Sequence, residues 1–140
     1  MFNKALKKAK ENKKGFTLIE IVIVIVIIAI LAAMLVPSLL KWIDSSKEKT
    51  FTSACGTIKT SIASVVSENY ATQGTITALD ATGWQKVSDL VGKTVTDGTG
   101  TGAYKVTSMD YSADTYTITD GTFQGVWDGS TWTVTKSAGD

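Results

Sequence analysis

Residues 13–42 read KKGFTLIEIVIVIVIIAILAAMLVPSLLKW, the most apolar part of the chain. It is almost wholly apolar from Phe16 to Leu40, and no polar side chain occurs between Ile21 and Val36. As an α-helix, residues 16–40 would span about 37 Å, enough to cross a hydrocarbon core of about 30 Å. A buried strand is the alternative, but the run is too long for one. The sequence therefore predicts a transmembrane helix over residues 16–40.

The residues on either side of this helix predict its orientation. Residues 1–15 contain six Lys and one Glu, a net charge of +5, and basic segments stay on the cytoplasmic side. Trp42, next to Lys41, suits the opposite membrane interface. We therefore expect a single-pass membrane protein with a cytoplasmic N-terminus and with residues 41–140 outside. Between Ala29 and Ser38 no two small residues have the spacing of a secretory cleavage site, so the apolar segment is expected to stay in the protein.

Composition excludes several kinds of chemistry. The 140 residues allow one compact domain with an extension, and they include no His and one Cys, Cys55. His-based catalytic triads, His-containing zinc sites and a disulfide within one chain are therefore excluded. Residues 16–140 carry eight Lys and twelve acidic residues, a net charge of −4, so binding of nucleic acid by the folded part is not expected. We expect no enzymatic activity and no cofactor.

Two polar patterns outside the helix resemble parts of known binding sites. Residues 98–102 read GTGTG but lack the Gly-Lys-Ser/Thr ending of a phosphate loop, which favours a plain loop. Five aspartates offer oxygen ligands for calcium, but none lies in an EF-hand pattern and most occupy turn positions. The sequence therefore predicts no metal site. These aspartates are Asp97, Asp110, Asp114, Asp120 and Asp128.

Glu20 is the anomaly of the apolar segment. A carboxylate costs roughly 2–3 kcal/mol or more at the centre of a bilayer and less near its surface, so an acid here indicates a function and a partner. Cleavage of the chain between Gly15 and Phe16 would create such a partner, the α-amino group of Phe16. That amine would lie one helical turn from Glu20 in its own chain, and it could also meet Glu20 of a neighbouring chain.

These features resemble the type IV pilin superfamily, whose precursors carry a class III signal peptide. The resemblance covers residues 1–42: a short basic leader (residues 1–15), Gly15 before the cut, Phe16 after it, Glu20 as the fifth residue of the mature chain, and an apolar helix interrupted by Pro37. It implies that a prepilin peptidase cleaves after Gly15 and methylates the new amine of Phe16. It also implies that Glu20 sets the register of subunits during assembly.

Pro37 lacks a backbone donor and clashes with the preceding helical turn. The sequence therefore predicts a helix kink or local loosening near Leu35–Val36, with a tolerated membrane-helix proline as the alternative.

Residues 41–140 are predicted to form a globular head. Residues 41–70 continue the helix with an apolar stripe, 75–102 form a connecting segment with a short helix near Trp84–Val91, and 103–136 form an antiparallel sheet. Asp120-Gly121 and Asp128-Gly129 mark turns, and the second predicts a two-residue hairpin. The predicted fold class is α+β, the architecture that the resemblance also implies. The stripe comprises Phe51, Cys55, Ile58, Ile62 and Val65; the strands are 103–109, 115–119, 122–127 and 131–135.

The resemblance implies a structural subunit of a type IV pilus. Such a subunit enters the membrane as a prepilin and is polymerised by the pilus assembly machinery into a homo-oligomeric surface filament for adhesion, aggregation or twitching motility. A pseudopilin of a type II secretion or DNA-uptake system is the alternative. A membrane-tethered domain with residues 1–42 as an uncut anchor is a third. Many pilins of double-membrane bacteria have a C-terminal disulfide, which this chain cannot form, so the resemblance favours a Gram-positive source.

Overall fold

The structure is a computed structural model that describes residues 15–73 and 79–137. The predicted leader, apart from Gly15, and residues 75–78 of the predicted connecting segment lie outside the described residues. The described elements confirm the α+β class, with a long helix and a five-stranded, mostly antiparallel sheet. They are α1 (Leu18–Gln73), α2 (Ala81–Val91), β1 (Val95–Thr96), β2 (Tyr104–Asp110), β3 (Thr115–Thr119), β4 (Phe123–Trp127) and β5 (Trp132–Lys136).

The chain divides into two compact units, one ending at Ile43 and the other beginning at Asp44. In the first unit the apolar side chains of α1 are exposed: Leu18 by 83% and Met34 by 70%. Mean hydropathy reaches 3.3 over an 18-residue window of α1, so by length and composition this helix can span a membrane. Helix α1 includes Pro37 without interruption, and the kink there stays a prediction.

In the second unit, one face of α1 packs on the sheet. All five residues of the predicted apolar stripe are buried there, which confirms the helical spacing. The sheet contributes Val106, Tyr116, Ile118 and Phe123 to the same core. At Gly125 of β4 the helix comes very close, because a Cβ atom added there would lie 3.0 Å from Cys55 Sγ. A Cβ atom at this position would require the side chains of Cys55 and Phe51 to shift by a few tenths of an ångström.

Each strand of the sheet pairs with the next one in the chain. Strands β2 to β5 form an antiparallel meander with pairs such as Ile118–Gly125 and Trp127–Trp132, and each predicted strand ends within one residue of the observed one. Tyr116 and Ile118 point into the core, as the period-two pattern predicted. Four residues, 128–131, connect β4 to β5, and not the two predicted; within this turn the Asp128 carboxylate accepts the N–H groups of Ser130 and Thr131.

The sequence analysis missed strand β1. Its residues pair in parallel with Tyr104 and Lys105, so the sheet begins inside the predicted connecting segment and is mixed. Two parallel strands that are adjacent in a sheet usually need a connection of a dozen or more residues. Residues 97–103 alone connect β1 to β2. The GTGTG run permits it, since Gly98 has φ +86° and a Cβ atom at Gly100 would lie 2.9 Å from Thr96 Cγ2.

Helix α2 begins three residues before the predicted position. Asp80 caps its N-terminus by accepting a 2.7 Å hydrogen bond from Gly83 N–H. Gly92 ends the helix in the left-handed conformation.

A polar cluster joins α1 to the far end of the sheet. Lys59 Nζ lies 3.1 Å from Asp114 Oδ2 and 4.4 Å from the centre of the Trp127 ring, and Trp127 Nε1–H donates to the same carboxylate oxygen at 2.9 Å. Two hydrogen bonds lower the pKa of Asp114 below its ordinary value: the one from Trp127 has the larger effect and the one from Lys59 the smaller. Asp114 also has a left-handed backbone, with φ 51°.

Removing a core side chain tests the packing of helix on sheet. Ile58→Ala should lower the free energy of unfolding of the head by about 2–5 kcal/mol, because Ile58 is fully buried and its truncation leaves a cavity. Urea unfolding of the full chain in non-ionic detergent, followed by tryptophan fluorescence, measures this. Ser53→Ala, on the exposed side of the same helix, is the control and should change stability by less than about 0.5 kcal/mol. Equal effects of the two substitutions would contradict the packing described.

Acid should weaken the Lys59–Asp114–Trp127 cluster. The pKa of Asp114 is lower in the folded state than in the unfolded state, so its stabilising contribution is complete above the unfolded pKa. That contribution is lost as the pH falls through the folded pKa. Asp114→Asn tolerates the left-handed backbone but cannot titrate. The variant should therefore lose less stability than the wild type between pH 7 and about pH 3 in urea titrations; identical losses would show that the cluster has no such effect.

Candidate processing and assembly site

Helix α1 begins with a reciprocal capping arrangement between Thr17 and Glu20. Glu20 N–H donates to Thr17 Oγ1 at 3.3 Å, while Thr17 N–H and Thr17 Oγ1–H donate to Glu20 Oε2 at 2.8 and 3.0 Å. This is a capping box, in which the residue before the helix and the third helical residue satisfy each other's backbone donors. Ile21 N–H donates to the carbonyl of Thr17 at 3.2 Å and continues the helical pattern. The start of the helix is thereby fixed at Leu18.

The predicted cleavage residues lie immediately outside this helix. Gly15 and Phe16 belong to no helix or strand, and the Phe16 side chain is 83% exposed. A peptidase needs its substrate backbone free of regular secondary structure and open to approach. The helical hydrogen bonding begins at Thr17, one residue after Phe16, because of the capping box. The Gly15–Phe16 peptide bond therefore lies outside the helix, where a peptidase can reach it.

The capping box gives Glu20 a partner that the sequence analysis did not identify. We had expected Glu20 to meet the amine of Phe16, but in the uncleaved chain that nitrogen belongs to a peptide bond. The carboxylate instead accepts hydrogen bonds from Thr17 at the helix N-terminus, where the helix dipole also favours a negative charge. The signal was present in the sequence as Thr17-Leu18-Ile19-Glu20, the Ser/Thr-x-x-Glu/Gln pattern that precedes an apolar helix.

Among the described residues from Gly15 to Val36, Thr17 carries the other polar side chain. The neighbours of Glu20 in the helix are apolar and exposed, Ile19 by 61% and Ile21 by 48%. Within this apolar part of the helix, the carboxylate therefore has no second polar side chain to pair with, and a membrane would make that costly.

In the head, the candidate chemical groups have structural roles. Cys55 is fully buried, and desolvation raises the pKa of its thiol to about 12, so it is not a reactive thiolate. In the described ranges, no three residues of metal-binding type come together in a way that would hold an ion. The carboxylates of Asp97, Asp110, Asp120 and Asp128 accept hydrogen bonds from backbone N–H groups of their own turns.

Comparison with known proteins finds one match. Residues 10–36 match the prokaryotic N-terminal methylation motif, a span that includes Gly15, Phe16 and Glu20. No curated protein and no solved structure matches the chain. The motif implies processing by a prepilin peptidase, and together with the apolar helix it indicates insertion into a membrane.

The capping box can be tested at the Thr17 hydroxyl. Thr17→Val keeps the shape of the side chain and removes the hydroxyl, which should cost the helix end about 1 kcal/mol. Amide hydrogen exchange at Glu20, measured by NMR on the full chain in detergent micelles, should be about fivefold faster. Thr17→Ser retains the hydroxyl and should exchange like the wild type. If the Val and Ser variants exchange alike, the hydroxyl does not cap the helix.

Proposed function

We propose, on the premise that this chain is a type IV pilin-like prepilin, that its mature form is the non-enzymatic structural subunit of a type IV pilus. The observation that carries the proposal is the position of Glu20. It is an acid at the third position of a helix that is otherwise apolar through Val36, and it lies four residues after the predicted new N-terminus. The motif match over residues 10–36 supports the premise of a pilin-like or pseudopilin-like precursor.

Cleavage changes what Glu20 can bind. Hydrolysis of the Gly15–Phe16 bond leaves the carboxylate of Gly15 on the leader and an ammonium group on Phe16. This cation lies next to Thr17, whose N–H and hydroxyl bind Glu20 in the uncleaved chain. Methylation of the amine retains its positive charge. The mature chain thus has an anion and a cation within one helical turn, inside a segment that excludes water.

The exposed apolar surface of α1 supplies the driving force for assembly. From Phe16 to Ile43 the large apolar side chains are exposed, and they require either lipid or other apolar helices around them. Packing the helices of many copies together covers this surface when a subunit leaves the bilayer. Pairing Glu20 of one subunit with the Phe16 ammonium of its neighbour then fixes the depth of insertion, because an unpaired buried charge costs several kcal/mol.

Two measurements on cells that produce the chain test this proposal. Mass spectrometry of material sheared from the cell surface should give a mature chain that begins at Phe16 and carries one additional methyl group. Glu20→Ala should reduce the number of surface filaments seen by electron microscopy at least about tenfold, since the buried ammonium then lacks its partner. Glu48→Gln, a change of an exposed acid on the same helix, should leave filament number unchanged.

Each alternative gives a different result. A full-length chain starting at Met1 in the membrane fraction would contradict processing and favour an uncut membrane anchor. Processed chain without long filaments in the wild type would contradict the pilus assignment and favour a pseudopilin. Wild-type filament number in Glu20→Ala would contradict the assembly role of the carboxylate.

A further inference from the structure

A groove on the head lies between α1, the end of α2 and the start of β2. It has a volume of about 520 Å³, and its lining includes Lys49, Ser53, Thr57, Val91, Lys93 and Tyr104. We call it the lysine groove. The two lysines are the charged residues among the described residues that line it, and Lys93 Nζ lies 5.6 Å from the centre of the Tyr104 ring.

The lysine groove has a charge that the head does not neutralise. Within the described part of the chain, neither Lys49 nor Lys93 forms an ion pair, whereas Lys59, Lys86 and Lys136 each have a carboxylate within 4.0 Å. The head, residues 41–140, is nevertheless acidic overall, with eight Lys and eleven acidic residues and a net charge of −3. A positive groove on a negative domain attracts an anionic partner.

Four aspartates at the turns of the sheet form no ion pair with a described lysine: Asp97, Asp110, Asp120 and Asp128. Two of them lie at neighbouring turns, Asp110 as the last residue of β2 before the β2–β3 turn and Asp128 in the β4–β5 turn, and we call these two turns the acidic turns. They are adjacent, because a Cβ atom at Gly129 would lie 3.8 Å from the Ala113 carbonyl oxygen. Hydrogen bonds from turn residues lower the pKa of Asp110, and they lower that of Asp128 to about 2, so both stay ionised. Neither forms an ion pair with a described lysine.

The lysine groove and the acidic turns lie at opposite ends of the sheet. Strand β2 begins at Tyr104, which lines the groove, and ends at Asp110 in the acidic turns. A strand of this length separates its ends by about 20 Å. Strand β4 runs in the same direction, from Phe123, which stacks on Phe51, to Trp127, which contacts Lys59. The head therefore has two lysines without ion pairs at one end, where Asp120 is also located, and the two neighbouring acidic turns at the other end.

We propose that the lysine groove of one subunit receives the acidic turns of a second copy of this chain in the filament. The proposal rests on the proposed function and adds to it a contact between heads. Because the two surfaces differ and lie at opposite ends, the contact is heterologous, and repeating it produces an open helical array and not a closed dimer. Surface ion pairs are individually weak, but the array repeats them at every subunit.

A set of charge variants tests this contact, because the Asn substitutions in the acidic turns should have opposite effects on filament yield in two backgrounds. Lys49→Glu with Lys93→Glu should reduce the yield of sheared filaments about fivefold, because the groove then repels the acidic turns. Asp110→Asn with Asp128→Asn should also reduce the yield in the wild-type background; Asn retains the acceptor that each turn needs. In the variant that carries Lys49→Glu and Lys93→Glu, however, the same two Asn substitutions should raise the yield. They remove the repulsion between the acidic turns and the two glutamates of the groove.

Controls separate this contact from folding and from net charge. Lys47→Glu with Lys105→Glu makes the same charge change outside the groove and should leave the yield unchanged. Urea unfolding in detergent should show that every variant is folded under the conditions of the filament assay; the Asn pair should lower stability, because it removes two carboxylates that the turns stabilise, and it should do so equally in both backgrounds. If the wild type forms no filaments, the proposed function fails; if it does and the Asn pair lowers the yield equally in both backgrounds, only the contact is overturned.

The groove could instead bind an anionic polymer. A binding assay distinguishes this partner from a second copy of the chain. Dextran sulfate and neutral dextran, immobilised on beads, are the probes for detergent-solubilised full chain. If the groove variants lose dextran sulfate binding while their filament yield stays at the wild-type level, the partner is an anionic polymer and the proposed contact between copies is wrong.

Discussion

The constraint on which this structure depends is an apolar surface that its own chain does not cover. Between Leu18 and Ile43, α1 exposes its large apolar side chains, whereas from Phe51 onward the same helix buries a stripe of them against the sheet. The apolar stripe of the head is covered by the sheet, whereas no described residue of the chain covers the apolar surface of the N-terminal half. Glu20 acquires its importance from this setting, because a carboxylate that would be ordinary in water requires a defined partner in an apolar one.

The head shows how a small domain manages without a covalent bridge. Its single thiol, Cys55, is buried as an apolar side chain and lies close to the backbone at Gly125. The helix can approach the sheet this closely because Gly125 has no side chain. Two residues further along β4, at its end, Lys59, Asp114 and Trp127 join helix to strands through one shared carboxylate oxygen. Close packing in the middle of β4 and a half-buried polar cluster at its end fix the helix on the sheet.

Most of the fold could be predicted because its periodicities are strong and local. The spacing of Phe51 to Val65 identified the helix face, and alternation identified β2 to β5. Strand β1 could not be predicted, since two residues show no period and its parallel pairing depends on close approaches at Gly98 and Gly100. For the site, the sequence identified the residue but not its hydrogen bonds. Glu20 stands out by its charge in an apolar segment, whereas its hydrogen bonds to Thr17 depend on where the helix begins. The lysine groove combines residues from three elements, a proximity that no local pattern reveals.

The strand order has a consequence for how the protein is made. Every strand pairs with its neighbour in the chain, so the sheet grows by successive local steps from β1 to β5. Contacts between residues close in sequence form quickly, because little chain entropy is lost before each contact is made. The chain has one Cys, so the head completes its sheet without an internal disulfide and needs no oxidation step. A topology of sequential neighbours thus favours fast folding of the sheet.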